Sequence, residues 1–339
     1  MLVTYIRSSS YNNYAYCEMQ YFLTYVLGHQ SVSGKKAQLG TIVHKVMECL
    51  ASCKKMLQDD EQKQMSIEDD KVGKIDFTKR KLGTKKFVNE LVDLSYDYYT
   101  SHCVHNYTNA DHKFCKDVTW TALEYNSGQF DPRKRNIAAS EPHFDILIEE
   151  DWAKYSYDLP NGETLEGQLA IKGTIDLVTE IDDGIIEVID WKTGRRLDWA
   201  TGEEKTYEKL CSDPQLLLYY YAIANLFPDY KQAIMSIFYI RDGGPFSMCF
   251  DKEDQDKFLG MLKARFEDIK SNQLPRLISK NRKHWKCTKL CHFYKNNWEG
   301  TNTCMCEHVD THLQEYGMED TIKNCTKDGF ALGHYEAPG

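Results

Sequence analysis

The chain has 339 residues, of which 42% are hydrophobic and 27% are charged, a balance that is typical of globular proteins and excludes wholesale disorder. Its formal net charge of −9 argues against a protein that coats nucleic acid nonspecifically, because such proteins need excess lysine and arginine. Apolar runs fall short of the roughly 18 to 20 residues that span a bilayer, and the N-terminus lacks a secretory pattern, so we expect a cytoplasmic protein (host cytoplasm if viral) without membrane contact.

The N-terminal part of the chain is predicted to be helical. Apolar and aromatic residues at three- and four-residue spacing predict helices over residues 10–27, 36–54 and 84–102. Residues 56–81 are charged and nearly devoid of large apolar side chains. We therefore expect a mobile insertion between the second and third helices.

The pattern changes to strands between residues 140 and 250. Stretches 170–179 and 184–191 predict two paired strands joined by a turn at Asp182-Asp183-Gly184. The elements that follow are a helix over 214–226, strands over 233–241 and 246–250, and a helix over 252–269. Strands alternating with helices predict a mixed α/β sheet covered by helices on both sides.

Two carboxylates and a lysine are predicted to meet at one edge of the first strand pair. Asp190 and Lys192 share a face of their strand, about 6 to 7 Å apart. Asp176 ends an apolar run on the neighbouring strand, beside them. Two carboxylates suit a hard cation such as Mg²⁺ or Mn²⁺, and a lysine beside it can orient a water that attacks phosphorus. A simple ion pair is the alternative for Asp190 and Lys192 alone.

Three more polar side chains accompany this edge. Gln215 and Tyr219 lie four residues apart on a predicted helix and therefore share one face. His44 lies on an apolar helix face, and imidazole suits Mn²⁺ better than Mg²⁺. Packing in the core is the alternative explanation for Tyr219 and His44.

Taken in order, these motifs resemble the RecB-like branch of the PD-(D/E)XK nuclease superfamily, which includes the nuclease domains of RecB and AddB and the iron–sulfur RecB-like exonucleases of CRISPR adaptation. The matching segments are Ser8-Ser9-Ser10 with Cys17, Gly40 to His44, Gly173 to Asp176, Asp190 to Gly194, Gln215 to Tyr219, and Cys287 to Cys306. Together they span nearly the whole chain.

The resemblance implies a restriction-endonuclease-like fold, in which helices flank a mixed β-sheet core. We expect one nuclease domain over residues 1–339. Its parts are a helical N-terminal lobe (1–110) with Cys17 and His44, a catalytic α/β core (140–272), a basic and cysteine-rich metal lobe (273–310) and a tail (311–339).

The resemblance also implies roles for individual residues. Mg²⁺ or Mn²⁺ would be bound by His44, Asp176, Asp190 and the main-chain carbonyl of Trp191. Lys192 would position the attacking water, while Gln215 and Tyr219 would steady the site and the substrate strand. Glu141 falls where the family often has another acid, although an ordinary surface glutamate is the alternative.

The cysteines form a second candidate site. In a reducing cytoplasm the 12 cysteines are expected to be thiols or metal ligands rather than disulfides. In several family members one N-terminal and three C-terminal cysteines hold a 4Fe-4S cluster, for which this chain offers Cys17, Cys287, Cys291 and either Cys304 or Cys306. The chain departs from the family pattern because Glu18 replaces the usual proline and the C-terminal spacings are longer. A C-terminal Zn²⁺ site without Cys17, and free thiols, therefore stay open.

Two runs of basic residues interrupt the acidic background. One extends over 276–289 without an acid and contains Arg276, Lys280, Arg282, Lys283, Lys286 and Lys289. If the metal lobe places this run over the active face, its cations would follow a DNA backbone. The other run spans 79–86. A solvated surface is the alternative for both runs.

These observations predict a metal-dependent deoxyribonuclease. We expect an exonuclease that acts on single-stranded DNA ends in recombination, repair, or phage or CRISPR DNA processing. The sequence has no P-loop motif, so unwinding would need a separate helicase as partner. The alternatives are a non-catalytic DNA-end-binding relic and a zinc-stabilised protein-interaction module of the same fold.

Overall fold

The computed structural model of the chain describes residues 1–60, 64–197, 202–278 and 284–334. Within these ranges helices cover mixed β-sheets, and the predicted α/β class is confirmed. No helix of the described part is both long and apolar enough to cross a membrane.

The N-terminal segment is a short strand followed by a broken helix. Strand β1 (Tyr5–Ile6) leads into α1 (Ser8–Tyr16), α2 (Glu18–Tyr21) and a π-helical turn (Phe22–Val26). The helix predicted over 10–27 is interrupted at Cys17, whose backbone is extended with φ −162°. The Cys17 Sγ accepts a hydrogen bond from the Gln20 amide at 3.4 Å and caps α2.

The helical lobe is built around the long helix α3 (Lys35–Asp59). Helices α4 (Lys79–Leu82), α5 (Lys85–Ser101) and α6 (Asn109–Glu124) belong to the same lobe. The apolar face of α3 packs with that of α5 in one buried cluster, which also contains the sheet residues Ile189 and Trp191. The core of the lobe is therefore continuous with the underside of the sheet.

The prediction of a mobile insertion over residues 56–81 is wrong. Helix α3 extends to Asp59, and a hairpin of β2 (Met65–Asp69) and β3 (Gly73–Phe77) follows. Met65, Ile75 and Phe77 are buried against the helical lobe. Only one side of this short hairpin is apolar, so its composition resembles that of a loop although it buries a complete face.

The central sheet has five strands, which are β4 (Asn136–Ser140), β9 (Leu177–Asp182), β10 (Ile185–Lys192), β11 (Gln232–Tyr239) and β12 (Gly244–Cys249). Their spatial order is β12-β11-β10-β9-β4. Strand β10 pairs antiparallel with β9 and parallel with β11. The sheet is therefore mixed, as predicted.

The strand predicted over 170–179 is split between two sheets. Strand β8 (Ala170–Thr174) lies between β1 and β5 (His143–Leu147) in a three-stranded sheet, whereas β9 belongs to the central sheet. Ile175 and Asp176 form the break. A further hairpin consists of β6 (Lys154–Asp158) and β7 (Thr164–Gln168).

The remaining helices cover the other face and form the C-terminal lobe. They are α7 (Tyr207–Leu210), α8 (Pro214–Leu226), α9 (Lys252–Ser271), α10 (His292–Lys295) and α11 (Met305–Cys325), with a π-helical turn over Lys286–Leu290 and 3-10 turns over Tyr125–Ser127, Pro132–Lys134 and Asp151–Ala153. Helix α8 has the predicted bounds. Helix α11 is kinked at Gly317 and occupies much of the expected tail.

Candidate active site

Asp176 and the end of β10 form the centre of the candidate site. The Asp176 Oδ2 accepts a hydrogen bond from the main-chain N–H of Trp191 at 2.8 Å, so its carboxylate faces the strand that carries Asp190 and Lys192. The N–H and C=O of one strand residue point to the same side, so the Trp191 carbonyl faces this edge as well. The structure therefore brings the three predicted residues to a common edge, although Asp176 lies in the break between β8 and β9 rather than on a strand.

Asp190 is almost fully buried, with 2% of its surface exposed. Its Oδ2 lies 2.7 Å from the Lys192 Nζ, and its Oδ1 accepts a hydrogen bond from the Gln215 Nε2 at 3.0 Å. Among the described residues no donor makes a well-directed hydrogen bond to Oδ2, so the ion pair alone stabilises that oxygen. A bound cation would therefore compete with the Lys192 ammonium for Oδ2.

His44 joins the site from α3. Its Nδ1 lies 3.5 Å from the Asp176 Oδ1, and both side chains are only partly buried. The close approach of α3 depends on Gly40, one turn earlier, because a Cβ at Gly40 would lie 2.6 Å from the Thr193 Oγ1. The Gly40 to His44 motif thus has a steric basis as well as a chemical one.

Helix α8 contributes the Gln215 and Tyr219 pair. Asp213 caps the helix by accepting a hydrogen bond from the Gln215 amide at 2.9 Å. The Gln215 Nε2 donates to both the Asp190 Oδ1 and the Tyr219 hydroxyl, each at 3.0 Å. Tyr219 therefore orients the amide that fixes Asp190.

The electrostatics of the site indicate a deficit of positive charge. Burial raises the pKa of Asp190 to about 6, Asp176 adds to this effect, and the Lys192 ammonium opposes it. Burial would also raise the pKa of Asp176, but His44 and Lys192 outweigh it and hold that pKa below its usual value. Burial would lower the pKa of His44, yet Asp176 raises it overall. An added cation would stabilise both carboxylates in their ionised forms.

Two further acids lie near the site. Glu141 has a left-handed backbone with φ 46°, and its amide donates to the Asp176 carbonyl at 3.2 Å. Burial, reinforced by Glu48 and Asp176, raises the pKa of Glu141 to about 7. Sequence reasoning gave Glu141 little weight and missed Glu48, although Glu48 lies one helical turn after His44 and so shares its face.

The candidate ligands are of the chemical types that bind a divalent cation. One imidazole, two carboxylates and a main-chain carbonyl are ligands that Mn²⁺ and Mg²⁺ accept. The buried Asp190 Oδ2 without a directed hydrogen bond supplies the position at which such an ion gains most. As the side chains stand, no group of three or more histidine, cysteine or acidic residues within the described ranges is arranged to hold a metal ion.

Four cysteines surround a small apolar cavity between the two ends of the chain. The cavity has a volume of about 20 Å³ and is lined by Cys17, Cys287, Cys291 and Cys306 together with apolar side chains. Burial raises the pKa of the Cys17 thiol to about 11. Cys304 does not line this cavity, and its Sγ lies 3.7 Å from that of Cys306.

The basic run is only partly described. Arg276 forms an ion pair with Glu18 at 2.5 Å, and Lys286 is 8% exposed with its Nζ 4.7 Å from the centre of the Tyr16 ring. Both cations therefore have contacts within the protein. Lys280, Arg282 and Lys283 lie outside the described residues, and the predicted DNA contact of the run stays a prediction.

Two acids and a lysine at adjoining strand ends are an arrangement that is typical of nucleases. The family model of the PD-(D/E)XK nuclease superfamily matches residues 8–295. The chain belongs to the PD-(D/E)XK nuclease superfamily, whose nucleases typically use Mg²⁺ or Mn²⁺ and act on DNA. The predicted superfamily is thereby confirmed.

The other comparisons give less detail. No curated protein sequence is significantly similar to this chain. Among solved structures, a crystal structure of a candidate exonuclease from Eubacterium rectale at 2.19 Å resolution is similar, with 11% sequence identity and a TM-score of 0.46. The alignment covers 87% of this chain and 88% of that chain.

Proposed function

We propose that this chain is a RecB-like, metal-dependent deoxyribonuclease that hydrolyses phosphodiester bonds. The observation that carries the proposal is the meeting of Asp176 with Asp190 and Lys192 at one edge, where the Asp176 carboxylate accepts the Trp191 N–H. The motifs in RecB-like order support an exonuclease that acts on single-stranded ends in recombination, repair or related DNA processing. A separate helicase would supply any unwinding.

Each residue has a distinct task in this proposal. His44, Asp176, Asp190 and the Trp191 carbonyl would hold Mg²⁺ or Mn²⁺. When bound, such an ion lowers the pKa of a water and offsets negative charge at the phosphate. The Lys192 ammonium would donate hydrogen bonds to the incoming water and a phosphate oxygen.

Gln215 and Tyr219 of α8 would keep the reacting groups in position. Gln215 holds one Asp190 oxygen through its Nε2, which leaves Oδ2 directed at Lys192. Tyr219 is 7% exposed and is therefore better placed to orient Gln215 than to meet a base. Positioning of this kind lowers the reorganisation needed when the substrate binds.

Digestion of end-labelled DNA tests the proposal. Linear single-stranded, linear double-stranded and circular single-stranded DNA are incubated with Mg²⁺, Mn²⁺ or a chelator. We expect metal-dependent release of short products from linear single strands and an intact circle. Asp190→Ala and Lys192→Ala should abolish cleavage, while Asp182→Ala, on an exposed residue at the far end of the same hairpin, should not. Cleavage by both site variants at the parent rate would overturn the assignment.

We further propose that Cys17, Cys287, Cys291 and Cys306 hold a 4Fe-4S cluster. The support is the convergence of these four side chains on one small cavity with mainly apolar neighbours, since cysteine thiolates are the ligands that hold iron–sulfur clusters. Burial raises the pKa of the Cys17 thiol to about 11, so a thiolate there would need a bound cation to stabilise it. A zinc ion bound by the C-terminal cysteines Cys287, Cys291, Cys304 and Cys306, without Cys17, is the alternative.

Metal analysis of serine variants tests this second proposal. The parent, purified without oxygen, should be brown and contain iron and sulfide. Cys306→Ser should lose the iron, whereas Cys304→Ser should keep it, and the half-buried Cys211→Ser serves as a control outside the cavity. A colourless parent that contains zinc would replace the cluster with the zinc alternative. Loss of iron in Cys304→Ser alone would overturn the choice of Cys306.

A further inference from the structure

A basic groove lies on the helical lobe, apart from the candidate active site. It has a volume of about 490 Å³, and its charged lining residues are Lys54, Lys79 and Arg133. The polar side chains Gln58 and Asn136 complete its hydrogen-bonding surface. Among the described residues no acidic side chain lines it, although the whole chain carries a net charge of −9.

A second groove continues the first. It has a volume of about 420 Å³ and shares Gly83 and Arg133 with its neighbour. It adds the cations Lys85 and Lys134, against the acids Glu124 and Asp131. We refer to the two together, from Lys54 to Lys134, as the lobe groove.

Two cations of the lobe groove, Lys54 and Lys85, are the most available to a ligand, because Lys79 and Lys134 each have a contact within the protein. Lys54 has no hydrogen-bond or ion-pair partner among the described residues. Lys85 faces Glu124 at 3.4 Å, but both side chains are more than 60% exposed, so water weakens this pair. Arg133 is held by Asp131 at 2.7 Å and is only 14% exposed, so it supports the groove rather than serving as a free contact.

Trp120 strengthens the groove without offering a free aromatic face. The Lys85 Nζ lies 5.2 Å and the Arg133 guanidinium carbon 6.0 Å from the centre of its ring. Its indole N–H donates to Asn89 at 3.0 Å. The ring therefore fixes the two cations, and the groove recognises charge rather than a stacked base.

Two elements connect the lobe groove to the candidate active site. Helix α3 carries His44 at the site and Lys54 at the groove, about 15 Å apart for ten residues. Strand β4 runs alongside, from Asn136 at the groove to Ser140, whose hydroxyl donates to the Glu48 carbonyl at 3.4 Å. For a single strand whose bases stay stacked at the duplex spacing of about 3.4 Å per nucleotide, this separation corresponds to roughly four or five nucleotides.

We propose that the lobe groove binds the phosphate backbone of the nucleic-acid substrate, about four or five nucleotides from the cleaved bond. This inference rests on the proposed nuclease function and adds a second contact region to it. The net negative charge of the chain repels DNA at long range, so a local cationic groove is needed to retain a strand. Long substrates gain affinity from the groove, whereas substrates confined to the active site do not.

Binding and cleavage of two substrate lengths test the groove. The variant Lys54→Gln/Lys79→Gln/Lys85→Gln is compared with the parent and with Lys113→Gln/Lys263→Gln/Lys323→Gln, which removes the same charge from exposed sites elsewhere. Affinity for a single strand of about 30 nucleotides is measured with chelator present over a range of salt concentrations. The groove variant should bind roughly tenfold more weakly, and its salt slope should fall by about 2, the value for three lost phosphate contacts on a single strand.

Cleavage of a tetranucleotide by the groove variant should match that of the parent, because this substrate does not reach the groove. Equal affinity of the groove variant and the parent for the long strand, or an equal loss in the control variant, would overturn the inference. Competition by polyglutamate as effective as that by DNA would overturn it too, in favour of an acidic protein partner. If the parent cuts neither substrate, the nuclease proposal fails while the binding comparison still decides the groove.

Discussion

The Asp176 carboxylate accepts a hydrogen bond from the main-chain N–H of Trp191, at 2.8 Å, across the gap between the two sheets. Asp176 lies in the break between β8 and β9, and the pairing of β10 with β9 ends before Trp191. The Asp176 side chain therefore accepts a Trp191 N–H that has no main-chain partner on that side. The same bond directs the other oxygen, Oδ1, towards His44 at 3.5 Å. One side chain therefore connects the sheets and supplies a candidate ligand.

Two substitutions of Asp176 separate its structural and chemical roles. Asp176→Asn keeps an oxygen that accepts the Trp191 N–H but removes the charge, so cleavage should fall by at least about a hundredfold with little loss of stability. Asp176→Ala should lose the same activity and also about 1 to 2 kcal/mol of unfolding free energy, because the Trp191 amide is left unpaired. Steady-state cleavage and urea unfolding measure the two effects. Equal stability of both variants would contradict the structural role of the bond.

The Gln215 and Tyr219 pair should show graded effects on catalysis. Gln215→Ala removes the donor to Asp190, so cleavage should fall by about ten- to a hundredfold. Tyr219→Phe removes only the hydroxyl that orients the amide, and a decrease of less than about tenfold is expected. Single-turnover cleavage at saturating DNA separates this loss from weaker binding. A larger loss in Tyr219→Phe than in Gln215→Ala would instead indicate direct contact of the tyrosine with substrate.

The sequence predicts which of these side chains share a face because the signals are local. Asp190 and Lys192 lie on one strand, and Gln215 and Tyr219 lie on one helix, so period and spacing alone determine their faces. The split of the strand at Asp176 could not be predicted, because β1, which pairs with β8, comes from the distant N-terminus. The placement of Glu141 and Glu48 likewise depends on contacts between separate elements. The break at Cys17 is a tertiary effect, since the surrounding aromatic pattern is helical.

Glu141 should give the metal-free protein a pH-dependent stability. Its pKa is raised to about 7 from an ordinary value of 4.5, so between these values the folded state holds a proton that the unfolded state releases. Unfolding free energy therefore falls as pH rises through this range. Glu141→Gln should weaken this dependence, leaving the part below about pH 6 to which the raised pKa of Asp190 contributes, and should be more stable than the parent above pH 7, by about 1 to 2 kcal/mol after allowance for partial solvent exposure.

Urea unfolding with chelator at a series of pH values measures the Glu141 effect. Glu149→Gln is the matched control because Glu149 is an exposed glutamate. Its unfolding free energy should change with pH as that of the parent does. A Glu141→Gln profile as steep as that of the parent would show that another group is responsible.

The contact between Gly40 and Thr193 should control how closely His44 approaches the site. Alanine is usually more stable than glycine within a helix, by about 0.5 to 1 kcal/mol, so helix propensity alone predicts that Gly40→Ala stabilises the protein. The contact predicts the opposite, because the new Cβ would lie 2.6 Å from the Thr193 Oγ1. Thr193 is β-branched and stiff about its first torsion, so relief requires α3 to shift away from β10.

Gly40→Ala should therefore lower cleavage by about tenfold or more, through the displacement of His44 from Asp176. Thr193→Ala removes the Oγ1 and leaves a Cβ 3.8 Å away, which is ordinary contact, so the double variant should recover most of the lost activity and stability. Thr193→Val keeps the branched shape and should give no recovery. A double-mutant cycle in unfolding free energy should yield a coupling of about 1 kcal/mol or more. A Gly40→Ala variant that is more stable than the parent and equally active would show that α3 is not tightly packed against Thr193.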